Sequence, residues 1–161
     1  MVLRVALVAV GRMKAGAEAD LVRRYLERAD TDGRAAALSV SIVEVAESRA
    51  TRADDRKNAE AASLLDRVAD DSVVAALDER GKTLSSEGFA RQVGDWRDRG
   101  TREVNFLIGG ADGLGDAVKA RAQLLLSLGA MTWPHQVVRV LIAEQVYRAV
   151  TILTGHPYHR P

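Results

Sequence analysis

All three histidines of the chain lie between residue 135 and the C-terminal end, which closes with the tail HPYHRP. The tail places Tyr158, His159 and Arg160 after a long apolar segment that begins at His135. An imidazole exchanges protons near neutral pH, a tyrosine ring stacks on bases, and a guanidinium binds anions. A terminus without a role usually frays into plain polar residues. This concentration of reactive side chains therefore predicts a functional site.

The same histidines raise the alternative of a metal site. His156 and His159 are three residues apart, and His135 is the remaining imidazole. However, Pro157 interrupts helical spacing between the two tail histidines, the chain has no cysteine, and no carboxylate lies near them in sequence. Zinc sites require three or four such ligands. We therefore expect no metal, and sensitivity to chelators would decide the alternative.

The segment that carries His135 is predicted to be a long helix. His135 and Arg139 share one face four residues apart, as do Glu144 and Arg148 further along. The second pair is interpreted as a structural ion pair. Most of the remaining circumference is apolar, so the helix is expected to lie in the core or in a subunit interface.

The elements that must position this site alternate between strands and helices, which predicts an α/β domain with a mainly parallel sheet. Ligands of such sheets bind at the carboxyl ends of the strands. The predicted elements are strands at Val2–Val10, Ala37–Val45, Ser72–Leu77, Glu103–Ile108 and Gln123–Leu128, and helices at Ala17–Ala29, Thr51–Ala69, Ser85 or Ser86 to Arg99, Asp116–Arg121 and Pro134–Leu153. A turn is predicted at Asp78–Lys82.

Two loops at strand ends have the composition of ligand-binding loops. GGADGLG (Gly109–Gly115) lets the backbone approach a ligand closely, although it matches neither the dinucleotide nor the triphosphate glycine pattern. The alternative is a tight turn in which Asp112 or Asp116 caps the next helix. GAMTWP (Gly129–Pro134) offers a polar threonine between apolar side chains, and its alternative role is packing before the last helix.

Composition limits the class of protein. The chain has 161 residues, of which 47% are hydrophobic and 28% charged, so it is expected to form a single globular domain over residues 1–161. The N-terminal apolar run is too short for a signal peptide, and the absence of cysteine fits a cytoplasmic setting. With a net charge of +1, any nucleic acid must be bound by a local patch.

Several segments together resemble one bacterial enzyme family. They are VAVGRMK, LDERGK, FLIGGADGL, LSLGAMTWPHQVVRVLIAEQVYRA and the closing TGHPYHR. The chain resembles, over nearly its whole length, the SPOUT-superfamily methyltransferases that modify N3 of a pseudouridine in large-subunit (23S) ribosomal RNA. The resemblance implies a parallel α/β sheet with helices on both faces and a C-terminal deep trefoil knot.

The resemblance also implies a pocket for S-adenosylmethionine and a homodimer in which one subunit's tail completes the other's active site. The matching pocket positions are Leu77, Gly109, Gly110, Gly129, Ala130, Met131, Thr132, Trp133 and Pro134. Relatives commonly have Pro and Glu where this chain has Ala111 and Asp112, which weakens any role for a longer carboxylate there.

In the reaction that the resemblance implies, N3 of the base must lose a proton as it accepts a methyl group. His135 and His159 are the candidate bases, and Tyr158 is expected to stack on or hydrogen-bond the base. Arg139 and Arg160 are expected to hold phosphates or base carbonyls.

The low net charge predicts poor binding to naked RNA and a requirement for a folded ribosomal particle. Two alternatives stay open: a SPOUT enzyme acting on another nucleotide of rRNA or tRNA, and a ribosome-associated binding protein without turnover.

Overall fold

The computed structural model describes residues 1–161, and the elements alternate between strand and helix as the sequence predicts. The elements are β1 (Leu3–Val10), α1 (Ala17–Gly33), β2 (Leu38–Val45), α2 (Ala53–Leu65), β3 (Val73–Thr83), α3 (Ser86–Asp98), β4 (Glu103–Ile108), α4 (Asp116–Arg121), β5 (Leu124–Ser127) and α5 (His135–Thr154), with a short 3₁₀ turn at Arg34–Ala36. None of the helices combines the length and the apolar character that a membrane-spanning helix requires.

The five strands form one parallel sheet in the order β2-β1-β4-β3-β5. Because all strands run the same way, their carboxyl ends share one edge of the sheet, where ligands of such folds bind. The chain therefore leaves the sheet at that edge after each of the five strands. The expected parallel α/β architecture is confirmed.

Helices cover both faces of the sheet. On one face α1, α3 and α5 pack on a core that includes Leu7, Phe106 and Ile142. On the other face α2 and α4 pack on a smaller core through Leu64 and Val118. Burial on both sides explains why β1 and β4 read as nearly continuous apolar runs.

The structure corrects the prediction of a turn at Asp78–Lys82. These residues belong to β3, which pairs with β5 at Leu77, leaves the ladder, and pairs again at Lys82 and Thr83. Such a bulge keeps the strand continuous while it turns side chains to a new direction. The polar and glycine residues that suggested a turn are therefore the residues of the bulge.

The start of α3 and the end of α5 agree with the local sequence signals. Ser85 caps α3 by accepting a hydrogen bond from the backbone N–H of Gly88 at 3.0 Å. Gly155 ends α5 with a left-handed φ of 74°, which favours glycine. α1 extends beyond the predicted Ala29 to Gly33, whereas α2 stops at Leu65, short of the predicted Ala69.

Candidate active site

A cavity of about 880 Å³ opens at the carboxyl edge of the sheet. Three loops build its wall, namely the bulge of β3, the glycine-rich loop after β4 and the loop before α5. The lining residues among the predicted cofactor positions are Leu77, Gly109, Gly110, Gly129, Met131, Thr132, Trp133 and Pro134. Ala130 is exposed and does not line the cavity.

The glycine-rich loop folds back on itself immediately after β4. The N–H of Gly113 donates to the carbonyl of Gly110 at 3.0 Å, and Gly113 has a φ of +85°. A Cβ on Gly109 would lie 2.7 Å from the carbonyl carbon of Gly113, so only glycine fits at this close approach. The loop therefore presents backbone to the cavity and leaves space that side chains would fill.

The loop before α5 places two large apolar side chains at the rim. Met131 is 75% exposed and Trp133 is 41% exposed, although both are of a type usually buried. The loop begins at Gly129, whose φ of +113° favours glycine, and the Ser127 hydroxyl accepts from the Gly129 N–H at 3.1 Å. These side chains are available to cover a ligand.

The β3 bulge adds charged groups to the cavity wall. Asp78 forms an ion pair with Lys119 of α4 at 3.1 Å and accepts from the Arg80 backbone N–H at 2.8 Å. Burial acts to raise the pKa of Asp78, but these two donors together hold it below its ordinary value. The pair ties β3 to α4 beside the cavity.

A second ion pair holds the glycine-rich loop. Asp112 accepts two hydrogen bonds from the guanidinium of Arg56 in α2, at 2.7 and 3.1 Å. The same guanidinium donates to the carbonyls of Ala50 and Thr51. The capping alternative for Asp112 and Asp116 was wrong, because Gly115 precedes α4 and no side chain caps it.

His135 and Arg139 lie one turn apart on α5 but in different surroundings. His135 lines the cavity, as a candidate base must. Arg139 is only 1% exposed, and its guanidinium donates to Glu44 at 2.7 Å and to the carbonyls of Val10 and Gly11 at 2.6 Å. The expected role of Arg139 in holding phosphates or base carbonyls is therefore corrected: burial keeps it from RNA, and it joins α5 to the end of β1.

The C-terminal tail packs on the far part of α5. Glu144 and Arg148 form the expected structural ion pair at 2.6 Å, and the Tyr158 hydroxyl donates to Glu144 at 3.0 Å. Arg148 also lies 4.8 Å from the centre of the Tyr158 ring. Burial is the main cause that raises the pKa of Tyr158 to about 12, and the hydrogen bond to Glu144 is the second cause.

His159 joins the same cluster from the other side. Its Nδ1 lies 3.0 Å from a guanidinium nitrogen of Arg148, and its Nε2 lies 2.8 Å from the carboxylate of Glu87 in α3. This contact lowers the pKa of Glu87. Arg160, by contrast, is exposed. We refer to Glu87, Glu144, Arg148, Tyr158 and His159 as the tail cluster.

The cavity and the tail cluster occupy different parts of one protomer. Glu144 and Arg148 lie roughly 14 to 20 Å along α5 from His135, from the rise of 1.5 Å per residue. His135 and His159 are therefore not brought together within one chain. No group of three or more histidine and carboxylate side chains is placed to hold a metal ion.

The sequence did not indicate which residues form ion pairs with the side chains of the site. Arg56 and Lys119 carry no motif, and only the folded chain brings them to Asp112 and Asp78. Glu87 likewise meets His159 across 72 positions of sequence. The bulge residues had a usable signal, since LDERGK lies at a strand end and belongs to the resemblance.

Comparison with known proteins places the chain in a family. The family model described as "Predicted SPOUT methyltransferase" matches residues 3–159. The chain belongs to this SPOUT methyltransferase family, the class that its parallel sheet and strand-end cavity fit. The deep trefoil knot stays a prediction that this membership implies.

The relatives are close and match over their full length. The chain is 58% identical over 159 residues to "Ribosomal RNA large subunit methyltransferase H" of Rhizobium meliloti, covering 98% of this chain and 99% of the relative. It is 55% identical to the protein of the same name from Agrobacterium fabrum, with the same coverage. A probable methylase family protein from Haemophilus influenzae is 11% identical with a TM-score of 0.48, covering 99% of this chain and 70% of the other. The family assignment therefore comes from sequence.

Proposed function

We propose that this chain transfers a methyl group from S-adenosylmethionine to N3 of a pseudouridine in large-subunit (23S) ribosomal RNA. The observation that carries the proposal is the cavity that three strand-end loops form in a member of the SPOUT methyltransferase family. The substrate follows from relatives named as large-subunit ribosomal RNA methyltransferases and from the pseudouridine-family motifs in the sequence. We propose that residues 1–161 act as one methyltransferase domain. Because the substrate is ribosomal RNA, the proposed location of the protein is the cytoplasm.

The residues of the cavity fit S-adenosylmethionine. Its volume of about 880 Å³ lies within the range of cofactor pockets. Glycine backbone in two loops provides amide donors and acceptors for a base edge, while Leu77 and Val138 supply apolar surface for a ring. Lys57, Arg80 and Asp78 also line the cavity, and their opposite charges suit a ligand that carries a carboxylate and an ammonium group.

When bound, the cofactor supplies an electrophilic methyl group on a sulfonium. The residues that would hold it are Leu77, Gly109, Gly110, Gly129 and Met131–Pro134, and orientation of the reacting atoms is the main contribution of the protein. In the transfer, the N3–carbon bond forms as the sulfur–carbon bond breaks, and the N3 proton leaves. His135 lines the cavity, so its imidazole is the proposed acceptor of that proton.

We propose that the active protein is a homodimer in which the tail of one subunit reaches the cavity of the other. Two observations support this arrangement. Within one protomer the tail cluster and the cavity are separated along α5, and Val137, Val140 and Leu141 of α5 are only half-buried. In the dimer Tyr158, His159 and Arg160 would contact the base and phosphates, with His159 as the alternative base.

Methyl transfer to ribosomes tests the proposal directly. Ribosomes from cells lacking the enzyme are incubated with purified protein and S-adenosylmethionine labelled in its methyl group, and the nucleosides are then identified by mass spectrometry. The expected product is N3-methylpseudouridine in large-subunit RNA. Label in another nucleoside overturns the substrate assignment, whereas cofactor binding without label on any ribosomal particle favours a binding protein without turnover.

A further inference from the structure

A second loop at the carboxyl edge of the sheet carries positive charge, and its residues do not line the cavity. The loop after β1 begins with Gly11, Arg12, Met13 and Lys14, and we refer to these four residues as the GRMK loop. Arg12 and Lys14 are exposed, and neither makes an ion pair or a side-chain hydrogen bond within the chain. We propose that the GRMK loop binds backbone phosphates of the RNA substrate.

The GRMK loop is held in place at its backbone, which leaves its charged side chains free. The N–H of Gly11 donates to the carbonyl of Val45 at 2.7 Å, and the N–H of Met13 donates to Glu44 at 2.8 Å. Glu44 in turn accepts from Arg139, whose other nitrogen donates to the Gly11 carbonyl. A phosphate-binding segment needs this kind of fixed main chain, because ordering a mobile loop on binding costs conformational entropy.

The GRMK loop lies beside the methyl-transfer site. β1 and β4 are neighbours in the sheet, so the loop and the glycine-rich loop leave the same edge from adjacent strands. α5 connects the two sites directly: His135 lines the cavity, and Arg139, one turn later, contacts Gly11.

The charge balance favours a polyanion as the ligand of this loop. Glu44 is already occupied by Met13 and Arg139, and Glu47, which lies against Gly11 and makes no ion pair, leaves Arg12 and Lys14 in excess over the free carboxylate beside them. The chain has a net charge of only +1, so an enzyme acting on RNA must concentrate its cations where the strand enters. The identity of this polyanion rests on the proposed function. We assign it as the ribosomal RNA around the methylated base.

The test uses the full-length protein with the double variant Arg12→Ala/Lys14→Ala. The matched control is Arg99→Ala/Arg102→Ala, which removes the same charge from exposed positions at the opposite, amino edge of β4. For the first variant we expect the KM for ribosomes to rise about tenfold. The slope of the logarithm of the binding constant against the logarithm of the salt concentration should also become shallower by about two, since each lost phosphate contact reduces that slope by about one. Its cofactor affinity and its melting temperature should equal those of the wild type.

The outcomes separate this inference from the proposed function. If the wild type methylates ribosomes and both double variants change KM equally or not at all, the GRMK loop does not bind RNA and the inference is wrong. If the GRMK variant loses kcat and cofactor affinity at unchanged KM, the loop shapes the cavity, and the inference is again wrong. If the wild type itself transfers no methyl group, the proposed function fails, and co-sedimentation of the variants with ribosomes still tests the phosphate contact.

Discussion

Arg56 and Asp112 form a two-point ion pair that links the first turn of α2 to the glycine-rich loop of the cavity. The hydrogen bond from Arg56 lowers the pKa of Asp112 and raises that of Arg56. Because the guanidinium also binds the carbonyls of Ala50 and Thr51, one side chain fixes the β2–α2 loop and the cavity wall together. The short carboxylate of Asp112 therefore reaches its partner without leaving the loop.

Replacing Asp112 should loosen the cavity without unfolding the protein. In Asp112→Asn one hydrogen bond of the pair can remain, while the charge that holds Arg56 is lost. We expect the dissociation constant for S-adenosylmethionine to rise by about three- to tenfold, measured by calorimetry, while global stability changes little because the pair is only partly buried. Asp71→Asn, an exposed aspartate before β3, is the matched control. Equal affinity in both variants would show that the pair does not shape the site.

Cofactor binding should be insensitive to pH until strongly acidic conditions. The pKa values of Asp78 and Asp112 are both lowered in the folded protein, so their ionised forms stabilise it. That contribution is complete above the ordinary value of 3.8 and is lost as pH falls through the lower folded-state values. Calorimetry across pH, with circular dichroism to confirm folding, should show constant affinity at neutral pH and weakening only near and below this value. A decline centred near neutral pH would point to a histidine instead.

Much of the fold could be predicted because its signals are local. Buried parallel strands are apolar on both faces, so β1 and β4 are evident from runs of valine, leucine and isoleucine. Ser85 and Gly155 mark helix ends by well-known capping preferences. The bulge of β3 could not be predicted, because a glycine and charged residues form a turn or a bulge depending on whether a neighbouring strand, here β5, continues to pair.

The residues of the candidate site also fall into two groups, those that local sequence patterns predict and those whose role depends on the tertiary fold. Glycine loops at strand ends are recognisable, since only glycine permits positive φ or close backbone approach. Arg139, in contrast, looks like an RNA-binding residue from its spacing with His135. Its burial depends on where α5 crosses the end of β1, which no local pattern specifies. The tail cluster was suggested by composition, but its contact with Glu87 of α3 requires the tertiary fold.

Arg139 should be a stability residue. Arg139→Met leaves the buried carbonyls of Val10 and Gly11 without their side-chain donor and removes the ion-pair partner of Glu44, which is itself exposed. Loss of a buried, charged donor predicts a decrease in the free energy of unfolding of about 2 to 4 kcal/mol, measured by urea denaturation. The control is Arg23→Met, which breaks an exposed pair with Asp20 and should cost less than about 0.5 kcal/mol. Wild-type stability of Arg139→Met would contradict the structural role.

The tail should contribute to transfer and not to cofactor binding. His159→Ala removes the imidazole between Glu87 and Arg148, far from the cavity of its own chain. We expect kcat on ribosomes to fall at least tenfold, within the range for loss of general-base or positioning groups, at an unchanged cofactor dissociation constant. Glu87→Gln keeps a hydrogen-bonding group and should have a smaller effect. An equal loss of cofactor affinity in His159→Ala would mean that the tail shapes the pocket.

Mixing two inactive variants should restore activity if the site is shared between subunits. Gly109→Ala damages the cavity, because its Cβ would lie 2.7 Å from the backbone of Gly113, whereas His159→Ala damages the tail. In a mixed homodimer one cavity and one tail remain intact and belong to the same site, while the other site is doubly defective. Random re-association at equal amounts should therefore give roughly one quarter of wild-type activity, given the two-fold symmetry of such dimers. Each variant re-associated alone serves as the control. If mixing restores no activity although mass spectrometry detects the mixed dimer, the tail acts within its own chain.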